Sequence, residues 1–102
     1  MKIWLDDIRT APPGWLQVRS YEEAIVLIEH QGERITEISL DHDLCERHVT
    51  GDFSDNRTGF DVLRFLLTCG HRPIIDIHTM NPAGMQRMQA LLEHFDVEGW
   101  HH

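Results

Sequence analysis

Apolar and polar positions alternate between short runs and helical stripes along this chain. Lys2 to Leu5 is a short apolar run stopped by Asp6-Asp7 and reads as a strand. Thr10-Ala11-Pro12-Pro13-Gly14 breaks any element, and Leu16 to Arg19 follows as a second short strand. Ser20-Tyr21-Glu22-Glu23 has the spacing of a capping box, in which Ser20 accepts from the Glu23 N–H and the Glu23 side chain answers back. Ala24, Leu27 and Ile28, widened by Ile25, continue as one helical face, and Gly32 is a suitable stop. Ile35 to Leu40 predicts a third strand running straight into Asp41-His42-Asp43.

The stretch from Cys45 to Arg57 is polar and reads as a long loop. Thr58-Gly59-Phe60-Asp61 repeats the capping-box pattern, and Phe60, Leu63, Leu66 and Leu67 form the apolar face of a helix ending near Gly70. Pro73 to Thr79 predicts the fourth strand. Asn81-Pro82 opens a last helix with Met85, Met88, Leu91, Leu92 and Phe95 on its apolar face. Strands alternating with helices imply an α/β fold with a parallel sheet covered by helices on both faces. Its ligands are expected outside the carboxyl ends of the strands.

Length and composition narrow the class. The chain has 102 residues, 41% hydrophobic and 25% charged, which suits one soluble domain over residues 1–102. His101 and His102 are set aside as a tag remnant. No apolar run approaches the ~18 residues of a membrane span, and the start is too short and too acidic for a signal peptide. Cys45 and Cys69 form no C-x-x-C pair and read as reduced thiols of a cytoplasmic protein. Nine lysines and arginines against 17 acids leave a net charge of −8, and Lys2 is the only lysine. Such a surface repels nucleic-acid backbones and excludes an extended nucleic-acid groove.

The chemistry collects where strands end. Asp6-Asp7, Asp41-His42-Asp43 and His78-Thr79 with Asn81 would all open onto one rim of a parallel sheet. Carboxylates that close need a positive charge among them, and oxygen donors suit Mg²⁺ or Mn²⁺. His42 and His78 could exchange a proton near neutral pH. His30, His71 and His94 fall at helix ends or turns and read as solvated or capping groups. Cys45, His48 and His42 form only a weak zinc pattern. Asp76 lies on the same strand face as His78 and either accepts a neighbouring backbone hydrogen bond or orients a histidine. No P-loop, G-x-G-x-x-G turn or nucleophile elbow is present.

The acidic pair, the Asp after the third strand and Thr79 after the fourth resemble the phosphoacceptor site of response-regulator receivers. That resemblance fails at the receiver lysine, at the fifth strand and at a first crossover helix, for which the Pro-Pro turn leaves no room. Trp4-Leu5-Asp6-Asp7-Ile8-Arg9, Ile38-Ser39-Leu40-Asp41-His42-Asp43-Leu44, Thr58-Gly59-Phe60-Asp61-Val62 and Ile77-His78-Thr79-Met80-Asn81-Pro82 are more similar to cyclic-phosphate-processing receiver domains, with Cys45 where that family usually has glycine.

The resemblance implies a minimal receiver-like (flavodoxin-like) three-layer sandwich of about four parallel strands. It also implies processing of cyclic phosphate ends of RNA or nucleotides, and together with the carboxylate cluster the expected activity is that of a metal-dependent phosphoesterase. Asp6, Asp7, Asp41 and Asp43 would hold Mg²⁺ or Mn²⁺. Asp41, His42, His78 and Arg9 would carry catalysis, with Thr79 and Asn81 binding the phosphate. The alternative is a non-catalytic pseudo-receiver that binds a cation or nucleotide and offers the 45–57 loop to a protein partner.

Overall fold

A computed structural model describes residues 1–41 and 58–95. Strands β1 (Lys2–Leu5), β2 (Leu16–Val18), β3 (Glu37–Leu40) and β4 (Ile74–Ile77) alternate with helices α1 (Tyr21–Gln31), α2 (Gly59–Thr68) and α3 (Pro82–His94). All strand pairs are parallel, in the order β2-β1-β3-β4. This is the parallel α/β sheet that the alternation of strands and helices predicts, in the receiver-like form that the resemblance implies. The predicted polar loop 45–57 lies outside the described residues, as does Trp100.

Local chemistry sets the helix ends. Ser20 Oγ accepts from the Glu23 N–H at 3.1 Å, but Glu23 answers the Ser20 hydroxyl rather than its N–H, so the predicted box is half made. Thr58 and Asp61 make the full box, with the Thr58 N–H donating to Asp61 Oδ2 at 2.8 Å. Asn81 Oδ1 accepts from the Gly84 N–H, and Pro82 fills the first turn of α3. A short 3₁₀ turn over Gly32–Arg34 follows α1, and it holds Gly32 where a Cβ would fall on the His71 ring.

Period two in the strands separates two sheet faces. Ile3, Leu5, Ile38, Leu40, Ile75 and Ile77 are buried on one face. Against it lie Ile28 of α1, Leu63, Leu66 and Leu67 of α2, and Met88 and Leu92 of α3. Each such side chain stabilises by roughly 1.5–3 kcal/mol through burial. The crossovers β2-α1-β3 and β3-α2-β4 step the same way along the sheet, and α2 packs beside both α1 and α3. The alternate strand positions are Lys2, Trp4, Gln17, Glu37, Ser39, Ile74 and Asp76. That face is mainly polar.

No helix joins β1 to β2 among residues 6–15, as the Pro-Pro turn predicts. Side chains satisfy the loop instead. Asp6 Oδ1 accepts from the N–H groups of Ile8 and Arg9, and Gln17 donates to the Asp6 carbonyl while accepting from the Ala11 N–H. Trp4 Nε1 donates to the Arg9 carbonyl. These bonds hold the loop after β1 in place without a helix. Among the described residues, no helix is long and apolar enough to cross a membrane.

Candidate metal and phosphate site

The sheet ladder extends one residue past three strands and fixes the site. The Asp6 N–H donates to the Val18 carbonyl, the Asp41 N–H to Leu5, and the His78 N–H to Leu40. Asp6, Asp41 and His78 thus leave the carboxyl edge at neighbouring positions with their backbones held. This is the rim at which parallel sheets bind ligands.

Asp6, Asp7 and Asp41 each offer one carboxylate oxygen, and these atoms lie within 4.8 Å of one another. Asp6 is 1% exposed and Asp7 5%, while Asp41 is half-buried. Asp7 Oδ1 is buried and accepts no hydrogen bond, although the residue is engaged elsewhere. An all-oxygen donor set of this size suits a hard cation such as Mg²⁺ or Mn²⁺. The donor set fits the predicted metal, with Asp43 outside the described residues.

His78 borders the cluster. Its Nε2 lies 3.1 Å from Asp6 Oδ2, and its Nδ1 lies 2.6 Å from Ser39 Oγ. Trp4 stacks on the imidazole, with ring centroids 4.0 Å apart and 10° between planes. Burial lowers the His78 pKa below the ordinary histidine value, against the opposing pull of the Asp6 and Asp41 carboxylates. Burial alone would raise the Asp6 carboxyl. The Arg9 and Ile8 N–H groups and His78 outweigh it, and the pKa falls below the ordinary carboxylate value. The balance keeps Asp6 charged and favours a neutral ring near neutral pH.

Of the other predicted residues, Arg9 donates from Nη1 to the His78 carbonyl at 2.9 Å and ties the first loop to the fourth. Thr79 Oγ1 accepts from the Asn81 N–H, and the Asn81 side chain caps α3. His42, Asp43, Cys45 and His48 lie outside the described residues. The structure thus joins Asp6, Asp7, Asp41 and His78 into one site, with Arg9 at its edge.

Sequence reasoning gave no role to Ser39, Trp4 or Gln17. Ser39 is buried at 1%, with Oγ 3.0 Å from Asp76 Oδ2, so Asp76 reaches His78 through a serine. The available signal was the alternation itself, because Ser39 is the polar residue between Ile38 and Leu40 and shares a face with Asp41.

A family model described as the cyclic-phosphate processing receiver domain matches residues 1–94. Searches of curated proteins and of solved structures found no match.

Proposed function

The chain belongs to the cyclic-phosphate processing receiver domains, and from that premise we propose that it is a metal-dependent phosphoesterase. Its substrate would be a 2′,3′-cyclic phosphate or a related small phosphoester, on a nucleotide or an RNA terminus. The observation that carries this reading is the convergence of Asp6, Asp7 and Asp41 oxygens within 4.8 Å, beside the His78 imidazole.

Asp6, Asp7 and Asp41 would hold Mg²⁺ or Mn²⁺, joined by Asp43. Such a cation polarises a phosphoryl group and lowers the pKa of a bound water. His78 Nε2 takes the proton of the attacking water, and His42 is the candidate acid toward the leaving ribose oxygen. The Arg9 guanidinium keeps donors beyond the one spent on the His78 carbonyl, and its planar fork matches phosphate oxygens. The Thr79 hydroxyl, which accepts locally, retains its hydrogen for the phosphate. Asn81 is proposed as a second phosphate donor through its amide.

The test is hydrolysis of 2′,3′-cyclic and 3′,5′-cyclic nucleotides with Mg²⁺, Mn²⁺ or EDTA, using wild type, Asp41→Asn and Arg9→Ala. Metal-dependent turnover lost in both variants supports the mechanism, and unchanged turnover in Arg9→Ala refutes the role given to that residue. The non-catalytic reading draws on one observation, that Arg9 and Asn81 both make structural hydrogen bonds here. Normal metal binding with no turnover on any nucleotide would select it.

A further inference from the structure

The apolar layer of the sheet runs on past its covered strands. Leu16 stands in register with Ile3 and Val18 with Leu5, so both lie on the face that the helices pack. Val18 is 4% exposed, yet Leu16 is 48% exposed although its partner Ile3 is 1%. Across from β2, Val26 and Leu27 of α1 line the same open groove, a cavity of about 670 Å³, and Val26 is 56% exposed. Glu22 and Glu23 line it one helical turn earlier on α1. Among the described residues, no lysine or arginine lines it.

β2 is also an edge. It pairs with β1 on one side, and among the described residues no strand pairs with the other. The Val18 carbonyl accepts from the Asp6 N–H on the β1 side. Main-chain groups alternate along a strand, so Gln17 turns its N–H and carbonyl outward. Proteins blunt such edges with charge or proline, and Leu16-Gln17-Val18 carries neither. An extended peptide can add to such an edge as a further strand, sending alternate side chains into the pockets beside it.

We propose that the groove between β2 and α1 docks an extended segment of a partner protein, paired to Gln17 and carrying apolar side chains beside an arginine or lysine. Two apolar side chains at alternate positions meet Leu16, Val18, Val26 and Leu27. The basic side chain, two residues further along, reaches Glu22 and Glu23. Glu22 already has an interaction within the chain, and Glu23 spends Oε1 on the Ser20 hydroxyl, so Glu23 Oε2 is the principal anchor. Charge selects this occupant over a second copy. The chain carries −8, so two copies repel, whereas a basic segment is drawn in. No carboxylate of the metal cluster lines the groove, and the inference stands apart from the function proposed above.

The test titrates synthetic peptides into the isotope-labelled full chain and follows its amide signals. Acetyl-Val-Thr-Val-Thr-Arg-Thr-amide and acetyl-Thr-Arg-Thr-Val-Thr-Val-amide present the pattern in either strand direction, and each has a counterpart with Glu for Arg. One Arg peptide should shift the Gln17, Val26 and Leu27 amides with a Kd of about 1 mM, about tenfold tighter than its Glu counterpart. Val26→Ser should weaken it about fivefold. Glu22→Gln with Glu23→Gln should erase the preference for Arg, while Gln keeps the start of α1. Equal affinity for Arg and Glu peptides, indifference to Val26→Ser, shifts that fall elsewhere, or no shift at about 10 mM overturns the inference. A dimer of the chain alone that Val26→Ser disperses also overturns it, because a second copy then fills the groove. Nuclear Overhauser contacts to Val26 from residues 42–57 or 96–102 do the same by assigning the groove to the chain itself.

Discussion

Replacing Asp41 with Asn should stabilise the metal-free protein and abolish its response to Mg²⁺. The carboxylate oxygens of Asp6, Asp7 and Asp41 lie within 4.8 Å of one another. Two unit charges at that separation repel by about 3 kcal/mol at an effective dielectric of about 20. Asp41 takes part in two such pairs. It is also half-buried rather than buried, so water screens it, and it holds a contact of its own that Asn would weaken. The expected net gain is therefore about 1–2 kcal/mol, or roughly 5–10 °C in Tm for a chain of this size. In wild type, Mg²⁺ at about 100 times its Kd should add about 2.7 kcal/mol. Urea and thermal denaturation of both proteins, in EDTA and in excess Mg²⁺, measure all four stabilities. A variant less stable than wild type in EDTA, with a wild type indifferent to Mg²⁺, would refute the idea that repulsion among these carboxylates is relieved by a cation.

Two further outcomes follow from the same geometry. Asp6 and His78 both have lowered pKa values in the folded chain, so the unfolded chain binds more protons in acid and stability must fall as pH falls. The His78 contribution is fully present above the ordinary histidine value of 6.5 and is lost first, and that of Asp6 is lost below 3.8. Urea midpoints measured against pH should show this, and His78→Gln should remove the upper part of the loss. A wild-type midpoint constant down to the carboxylate range would contradict it. Gly32→Ala should destabilise by about 1–3 kcal/mol, because the new Cβ meets the His71 imidazole and the ring must move. His71→Ala in the same chain should relieve most of that cost, and strict additivity of the two changes would count against the contact.

The sequence by itself determined the elements and the rim. Lys2–Leu5 is the strand that Asp6-Asp7 ends, and Ser20, Thr58 and Asn81 start the helices as their side chains dictate. These are local effects, set by hydrogen bonds within a few residues and by side-chain period, so they are legible without neighbours. The parallel sheet follows from the alternation of elements, and the clustering of Asp6, Asp7 and Asp41 follows from the sheet. Tertiary structure alone decided which partners these groups meet. Strand register set Ser39 against Asp76 and Trp4, the ladder carried His78 to Asp6, and the fold turned Arg9 toward the His78 carbonyl. Register is a global outcome of packing one apolar face, and a slip of one residue would send every one of these side chains to the other side of the sheet.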